Sequence, residues 1–204
     1  MIYFIISSIG YFIGCIHGST FANQLSGVNL KKVGSGNAGA SNATLQLGWK
    51  YGVLVALIDI AKAIIAILVL RYILNSWYIT SEQIYDYLYL LAFAVIIGHN
   101  FPFHMNFKGG KGTASVIGAF IAIDWQMGLL ALALFIVISI TSNYLIIGLL
   151  AFYSVLLSVS CSYGMLPTLL TVLLFFITFC LHIPNIKNVV ANTEPKVRQA
   201  FRRH

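Results

Sequence analysis

Long apolar segments dominate this sequence and severely limit the folds open to it. A helix needs about 20 predominantly apolar residues to cross the hydrocarbon core of a bilayer. Only 8% of the residues are charged, whereas a soluble domain carries about a quarter. Because a spanning segment must satisfy its own backbone hydrogen bonds, we expect an all-α polytopic membrane protein. The candidate segments are residues 2–22, 51–73, 85–97, 116–140, 144–161 and 165–183.

The basic residues lie mainly between these segments and predict how the chain is oriented. Lysine and arginine collect on the cytoplasmic side of membrane proteins, and no basic residue precedes the first apolar segment. We therefore expect the N-terminus outside and the C-terminus inside. Short clusters at the ends of spans favour the lipid bilayer, not nucleic acid, as the partner. Ten of the twelve basic residues form three clusters: Lys31, Lys32 and Lys50; Lys108 and Lys111; Lys187, Lys196, Arg198, Arg202 and Arg203.

Segment 116–140 is long for a single crossing, and its interpretation decides the number of passes. One crossing would place the basic C-terminal residues outside, against the positive-inside rule. A break at Asp124 and Trp125 gives seven helices and returns the C-terminus to the cytoplasm. The fourth helix is then short, which packing inside the bundle or local thinning of the bilayer tolerates. We predict a seven-helix bundle, N-out and C-in, with an external loop at residues 71–86.

Two polar, glycine-rich loops interrupt the apolar pattern, at residues 34–42 and 108–113. Glycine permits positive φ and a close approach of the backbone to a ligand. Successive backbone N–H groups in such loops can converge on an anion. Neither loop has the spacing of a Walker A motif. Two cytoplasmic loops of this type, the second with Lys108 and Lys111, predict a bound phosphate.

Ionisable residues near the spans leave two interpretations open. Asp59 and Lys62 are three residues apart on one helical face, and they form a structural ion pair or support the site from beneath it. His182 and Asn185 flank Pro184, where the last helix ends beside an interfacial histidine or contributes to function. The three cysteines lie in apolar segments, without the spacing of a metal or redox site.

The polar residues of the loops point to a site that binds its reactants and does not build a nucleophile. They contain no nucleophile elbow, no carboxylate pair and no cluster of metal ligands. A site of this composition positions anionic reactants that are already activated. Its place at the bilayer surface suits one water-soluble anion and one partner with a lipid tail.

Three motifs, in order along nearly the whole chain, resemble those of the bacterial acyl-phosphate:glycerol-3-phosphate acyltransferases (the PlsY type). The resemblance implies transfer of a fatty acyl group from acyl phosphate to the 1-hydroxyl of glycerol 3-phosphate, giving lysophosphatidate and phosphate for phospholipid synthesis. It also implies a single domain over residues 1–204 in the plasma membrane, with no cofactor and no metal. The matching positions are residues 33–42 with Asp59 and Lys62, residues 98–112, and His182, Asn185 and Ile186 with residues 193–195.

The same resemblance assigns roles to individual residues. In the family, loop amides hold phosphate groups, a lysine neutralises one of them, and a histidine and an asparagine position glycerol 3-phosphate. A substrate phosphate is thought to act as the base. The expected catalytic residues are Ser35, Lys111, His182 and Asn185. The expected substrate-binding residues are Gly34, Gly36, Asn37, Gly39, Ser41, Asn42, His99, Gly109, Gly110 and Gly112.

Several positions depart from the family pattern. Leu45 stands where the family usually has a phosphate-binding arginine, and Ile183 and Asn188 replace two others. A Gly-Ser-Ile-Pro turn in the first span ends here in His17. Arginine binds phosphate through paired hydrogen bonds that leucine cannot make. Losing one such contact costs roughly 1.5–3 kcal/mol, or about one to two decades in affinity, so reduced activity is expected.

Two other functions stay open on the sequence alone. With Leu45 in place of arginine, the fold can persist as a non-catalytic membrane paralogue that binds lipid phosphates. Alternatively, buried Asp59 and Lys62 can mark the pathway of a small anion transporter. The sequence contains no inverted repeat, which argues against the transporter.

Overall fold

Ten α-helices and no strand occur in the part of the chain that the computed structural model describes, residues 1–77 and 79–200, with side chains to residue 198. Six segments are long and apolar enough to span a membrane, and the apolar helix Thr113–Ile123 is shorter. The predicted all-α membrane architecture is confirmed, with six spanning segments and one shorter apolar helix among the described residues. The helices are α1 (Ile2–Gly14), α2 (Gly18–Ser26), α3 (Ala40–Leu47), α4 (Trp49–Leu74), α5 (Ser81–Asn100), α6 (Thr113–Ile123), α7 (Trp125–Ser142), α8 (Leu145–Tyr163), α9 (Met165–Val190) and α10 (Val197–Ala200).

The first apolar segment is broken into α1 and α2, which the hydropathy pattern alone did not predict. His17 has an extended backbone between them. At the break Gly14 lies against α5, where a Cβ atom on Gly14 would fall 2.1 Å from the carbonyl oxygen of Val95. The carbonyl oxygens of Gly14 and Ile16 accept hydrogen bonds from the Lys62 ammonium. The ammonium supplies the donors that the interrupted helix lacks, which stabilises the break.

The predicted split of segment 116–140 occurs at Asp124, and the side chain of Asp124 explains it. Its carboxylate accepts a hydrogen bond from the Met127 amide at 3.0 Å, which caps the N-terminus of α7. The Tyr163 hydroxyl donates to the other carboxylate oxygen at 2.8 Å. Helix α6 has 11 residues and is about 16 Å long at 1.5 Å per residue, so it crosses only about half of the hydrocarbon core.

Two boundaries differ from the prediction. The proposed external loop at residues 71–86 is mostly helical, because α4 continues to Leu74 and a capping box of Thr80 and Gln83 starts α5. The interpretation that Pro184 ends the last helix is wrong, since α9 runs on to Val190. A proline inside a helix costs roughly 3 kcal/mol, and the contacts that the following turns make with Glu194, described below, offset this cost.

Contacts between helix ends define two ends of the bundle. At one end, Arg71 at the end of α4 donates to the carbonyl oxygen of Ile123 at the end of α6 (2.6 Å). The opposite end, called the loop end here, contains residues 28–48 before α4, residues 101–112 before α6 and the segment after α9. The Val197 amide binds the Asn143 carbonyl oxygen there at 3.0 Å. Both glycine loops and the third motif therefore share one end, while Arg202 and Arg203 lie outside the described residues.

Candidate active site

The side chain of Asn42 holds the first glycine loop together. Its Nδ2 atom donates to the carbonyl oxygens of Leu30 (3.0 Å), Val33 (3.2 Å) and Asn37 (3.0 Å), and its Oδ1 atom accepts from the Ser35 amide at 3.1 Å. These bonds wrap residues 30–37 around one buried amide. Asn42 thus shapes the loop from beneath, and the exposed Ser35 side chain lies on its outer surface.

Free backbone amides lie where each loop enters a helix. Helix α3 begins after Gly39 and helix α6 after Gly112, and neither N-terminus has a side-chain cap. The first three amides of each helix have no acceptor among the described residues. Uncapped N–H groups and the helix dipole together favour an anion. The free donors are the amides of Ala40, Ser41 and Asn42 in α3, and of Thr113, Ala114 and Ser115 in α6.

The second glycine loop folds back onto the end of α5. The amides of Gly109 and Gly110 donate to the carbonyl oxygens of Asn100 (2.9 Å) and His99 (3.1 Å). These two amides are therefore used within the protein. A Cβ atom on Gly110 would lie 2.1 Å from His99 Nε2, and one on Gly112 would lie 2.7 Å from Asn100 Oδ1. Because Gly110 and Gly112 have no side chains, the buried side chains of His99 and Asn100 lie directly against the loop.

Asn100 has two side-chain atoms beneath the second glycine loop that lack a hydrogen-bond partner in the described part of the chain. The residue is 2% exposed, and neither Oδ1 nor Nδ2 has a hydrogen-bond partner among the described residues. An unsatisfied buried polar group costs roughly 1–3 kcal/mol. Such groups directly under a glycine loop fit a polar ligand above them.

Lys111 joins the second loop to the third motif. Its ammonium contacts Asn185 Oδ1, and Asn185 Nδ2 donates to the Glu194 carboxylate at 2.6 Å. Asn188 binds the other oxygen of the same carboxylate at 3.2 Å. Burial lowers the pKa of Lys111, and the negative charge of Glu194 acts in the opposite direction. The site therefore holds a partly desolvated cation, which an anionic ligand stabilises.

His182 lies one helical turn before Asn185, on the same helix. Its Nδ1 atom is 2.9 Å from the carbonyl oxygen of Thr178, whose hydroxyl is 2.8 Å from the Tyr153 hydroxyl. Because a carbonyl only accepts, Nδ1 carries the proton. In the neutral ring this leaves Nε2 as an acceptor, which suits a substrate hydroxyl.

The predicted ion pair of Asp59 and Lys62 is present and buried, with its atoms 3.1 Å apart. His99 is the third member of this cluster, with Nδ1 2.9 Å from the Lys62 ammonium. His17 stacks on His99, with ring centroids 4.6 Å apart. His17, Asp59 and His99 are the described residues that lie close enough to share a metal ion, but the Lys62 ammonium already occupies the space between Asp59 and His99.

The structure brings Lys111, His182 and Asn185 together directly, whereas Ser35 lies in a separate loop at the same end. The two loops approach each other through Lys31 and Lys108: burial first, and then the Lys108 charge, lowers the pKa of Lys31. No described hydrogen bond links Ser35 to Lys111. Among the family departures, Leu45 is half-buried on α3, and Ile183 is 38% exposed on the outside of α9.

Comparison with known proteins identifies the family of this chain. Residues 4–192 match the family model described as glycerol-3-phosphate acyltransferase. A protein named glycerol-3-phosphate acyltransferase 1 from Oceanobacillus iheyensis is 45% identical over 202 residues, which cover 98% of each chain. The chain belongs to the glycerol-3-phosphate acyltransferase family. A relative of that name from a Thermoanaerobacter strain is 31% identical, covering 94% of this chain and 93% of the relative.

Solved structures place this acyltransferase in the PlsY type, a multi-pass integral membrane protein. The glycerol 3-phosphate form of PlsY superposes with a TM-score of 0.80 at 28% identity, covering 96% of both chains. The lysophosphatidic acid form gives a TM-score of 0.78 at 27% identity, covering 96% and 95%. The resemblance inferred from the three motifs is thus confirmed.

Four residues around the candidate site were given no role there from the sequence: His17, Asn100, Thr178 and Glu194. A histidine inside an apolar segment is a usable signal for the first, and adjacency to His99 is one for the second. Thr178 has no sequence signal, because its role depends on the packing of α8 against α9. Glu194 lies in the third motif, but its role depends on how the chain after α9 folds back onto Asn185.

Proposed function

We propose that this protein transfers a fatty acyl group from acyl phosphate to the 1-hydroxyl of glycerol 3-phosphate, at the cytoplasmic face of the bacterial plasma membrane. Residues 1–204 act as one domain in this proposal. The products are lysophosphatidate and inorganic phosphate. The solved PlsY relatives in glycerol 3-phosphate and lysophosphatidic acid forms support the acceptor and the product.

The contact between Lys111 and Asn185 supports this proposal most strongly. It joins the glycine loop that precedes α6 to the last turns of α9, and the two residues are 74 positions apart in the sequence. A desolvated ammonium beside an amide and the imidazole of His182 offers a cation, a donor and an acceptor within one small region. Glycerol 3-phosphate needs these three groups, for its phosphate and its hydroxyls.

The chemistry requires positioning more than activation. The 1-hydroxyl oxygen attacks the acyl carbonyl carbon, the bond between that carbon and the phosphate oxygen breaks, and the hydroxyl proton passes to the departing phosphate. Acyl phosphate is already a reactive donor, so orientation and charge stabilisation supply the rate enhancement. The His182 Nε2 atom accepts from a hydroxyl of glycerol 3-phosphate other than the attacking 1-hydroxyl and so orients the acceptor. Lys111 neutralises a phosphate charge beside it.

The loops supply the remaining phosphate contacts. The free amides at the N-termini of α3 and α6 present partial positive charge at the loop end, which attracts phosphate, and the exposed Ser35 hydroxyl adds a donor. The substrate-binding glycines of both loops act by allowing this close approach. Leu45 provides no cation here, so phosphate binding relies on Lys111 and on backbone donors.

A direct assay tests the proposed reaction. Purified protein in lipid nanodiscs, given acyl phosphate and labelled glycerol 3-phosphate, is expected to form lysophosphatidate and phosphate in equal amounts. Acyl thioesters of coenzyme A or acyl carrier protein, supplied as donors in parallel, are expected to give no product. Absence of lysophosphatidate, while another family member is active under the same conditions, would refute the proposal.

Labelling of single cysteines tests the proposed orientation. In a background with the three natural cysteines replaced by serine, Lys32→Cys probes the loop end and Ser81→Cys probes the far end, both at exposed positions. A membrane-impermeant maleimide applied to intact cells or spheroplasts is expected to label Ser81→Cys alone. Inverted vesicles are expected to give the opposite pattern. Labelling of Lys32→Cys in intact spheroplasts would place the site outside.

A further inference from the structure

The Lys62 ammonium is the centre of a buried polar cluster beneath the second glycine loop. Four acceptors lie within reach of its three N–H groups: the carbonyl oxygens of Gly14 (3.0 Å) and Ile16, Asp59 Oδ1 (3.1 Å) and His99 Nδ1 (2.9 Å). Asp59 Oδ1 also accepts from the Gly18 amide at 3.2 Å. The lysine is therefore fixed from three directions, by the end of α1, by its own helix and by α5.

This arrangement determines which nitrogen of His99 carries a proton. The nearest partner of His99 Nδ1 is the Lys62 ammonium at 2.9 Å, and the Asp59 carboxylate lies farther away at 3.5 Å. An ammonium group only donates, and a hydrogen on Nδ1 would point at it, so Nδ1 accepts and has no hydrogen of its own. Asp59 and Lys62 already balance one negative and one positive charge. A second proton on His99 would leave a net charge in a buried environment, which is costly. His99 is therefore neutral, with its proton on Nε2.

The protonated nitrogen faces the second glycine loop. His99 is 2% exposed, and its Nε2 atom occupies the space that a side chain on Gly110 would fill. No described residue accepts a hydrogen bond from it. The His17 ring, stacked on one face at an interplanar angle of 25°, keeps the imidazole plane in place. Nearby, the unpartnered amide of Asn100 faces the same loop at Gly112.

We propose that His99 donates its Nε2 proton in a hydrogen bond to a substrate phosphate at the second glycine loop, and that Lys62 is a positioning residue that fixes this tautomer. The proposal rests on the proposed function, because that function supplies the phosphate. The phosphate belongs either to acyl phosphate or to glycerol 3-phosphate. Lys62 itself does not touch substrate; it acts through His99.

Nitrogen NMR of histidine-labelled protein tests the tautomer without relying on activity. His99→Gln removes one of the five histidine signals and so assigns His99. The expected spectrum shows an unprotonated Nδ1 and a protonated Nε2, and inorganic phosphate is expected to shift the Nε2–H signal. A protonated Nδ1 would overturn the assignment of Lys62. An Nε2–H signal unaffected by inorganic phosphate and by both substrates would overturn the phosphate contact.

A double-mutant cycle tests whether Lys62 acts through His99. Asp59→Asn with Lys62→Met removes both buried charges together, which avoids leaving an unpaired carboxylate. Loss of a defined donor to a charged group is expected to raise KM for one substrate about tenfold. In a His99→Gln background, the glutamine Nε2 donates without any choice of tautomer. There the double substitution Asp59→Asn with Lys62→Met is expected to change KM less than threefold.

The cycle separates positioning from a structural role. Equal losses in both backgrounds would mean that Asp59 and Lys62 act independently of His99, and this would refute the proposal. Separate KM values for acyl phosphate and glycerol 3-phosphate identify which phosphate His99 binds. If acyl transfer fails altogether, the NMR titration with inorganic phosphate still decides the inference, so the two failures are distinguishable.

Discussion

Lys111→Met is expected to lower kcat/KM for acyl transfer by about 100-fold or more. Removing one preorganised donor that stabilises developing negative charge costs roughly 10²–10³ in rate, and Lys111 is a partly desolvated cation next to Asn185 and Glu194. Because burial lowers the pKa of Lys111, its charge does not stabilise the free protein. Methionine keeps the length of the side chain, so folding is expected to persist. Initial rates with each substrate varied in turn measure the effect.

Lys108→Met is the matched control in the same loop. Lys108 is exposed, and surface changes of this kind alter energies by about 0.5 kcal/mol, so we expect less than a threefold change in kcat/KM. Melting temperatures of both variants in the same detergent check that each is folded. Equal activity in the two variants would remove Lys111 from the active site.

Gly14→Ala is expected to give the largest loss of stability. A single methyl group at this position would lie 2.1 Å from the Val95 carbonyl oxygen and 2.9 Å from the Gly98 α-carbon. Both are backbone atoms that no rotamer change can move, so α1 must shift away from α5. Overpacking of this kind costs about 1–3 kcal/mol. This corresponds to a fall in melting temperature of roughly 2–12 °C for a chain of this size.

The same shift displaces the Gly14 carbonyl oxygen, which accepts from Lys62. Activity is therefore expected to fall even below the melting transition. Ile9→Ala on the same helix is the control, because Ile9 is 52% exposed and faces away from the bundle. Thermal unfolding followed by tryptophan fluorescence or circular dichroism compares the two variants. A melting temperature of Gly14→Ala equal to that of Ile9→Ala would contradict the close packing of α1 on α5.

Particular elements show why parts of the fold were readable from the sequence and others were not. The helical spans were predictable because hydropathy is a local property of the chain. The break at Asp124 was predictable because the basic C-terminal residues require one more crossing. The continuation of α9 beyond Pro184 was not, because it depends on Glu194 folding back onto Asn185 and Asn188. Likewise, the break after α1 depends on Lys62, which lies more than 40 residues away.

The residues of the candidate site also fall into two groups: those that the sequence identified, and those whose role depends on contacts between distant parts of the chain. The motifs identified Lys111, His182 and Asn185, and the structure brings these side chains together. Asn42 and His99 were expected to bind substrate, and this stays a prediction. What the contacts add is that Asn42 shapes the first loop and that His99 is fixed by Lys62. Such hydrogen bonds join residues distant in the chain, so spacing alone cannot reveal them.

The sequence by itself determined that this protein is a helical membrane protein with two glycine-rich loops, because apolar length and glycine spacing are local properties. Only the tertiary structure decided which groups face the loops and with which protons. The physical reason is that a buried donor or acceptor takes its role from its partner, and the partners of His99 and Lys111 come from other helices.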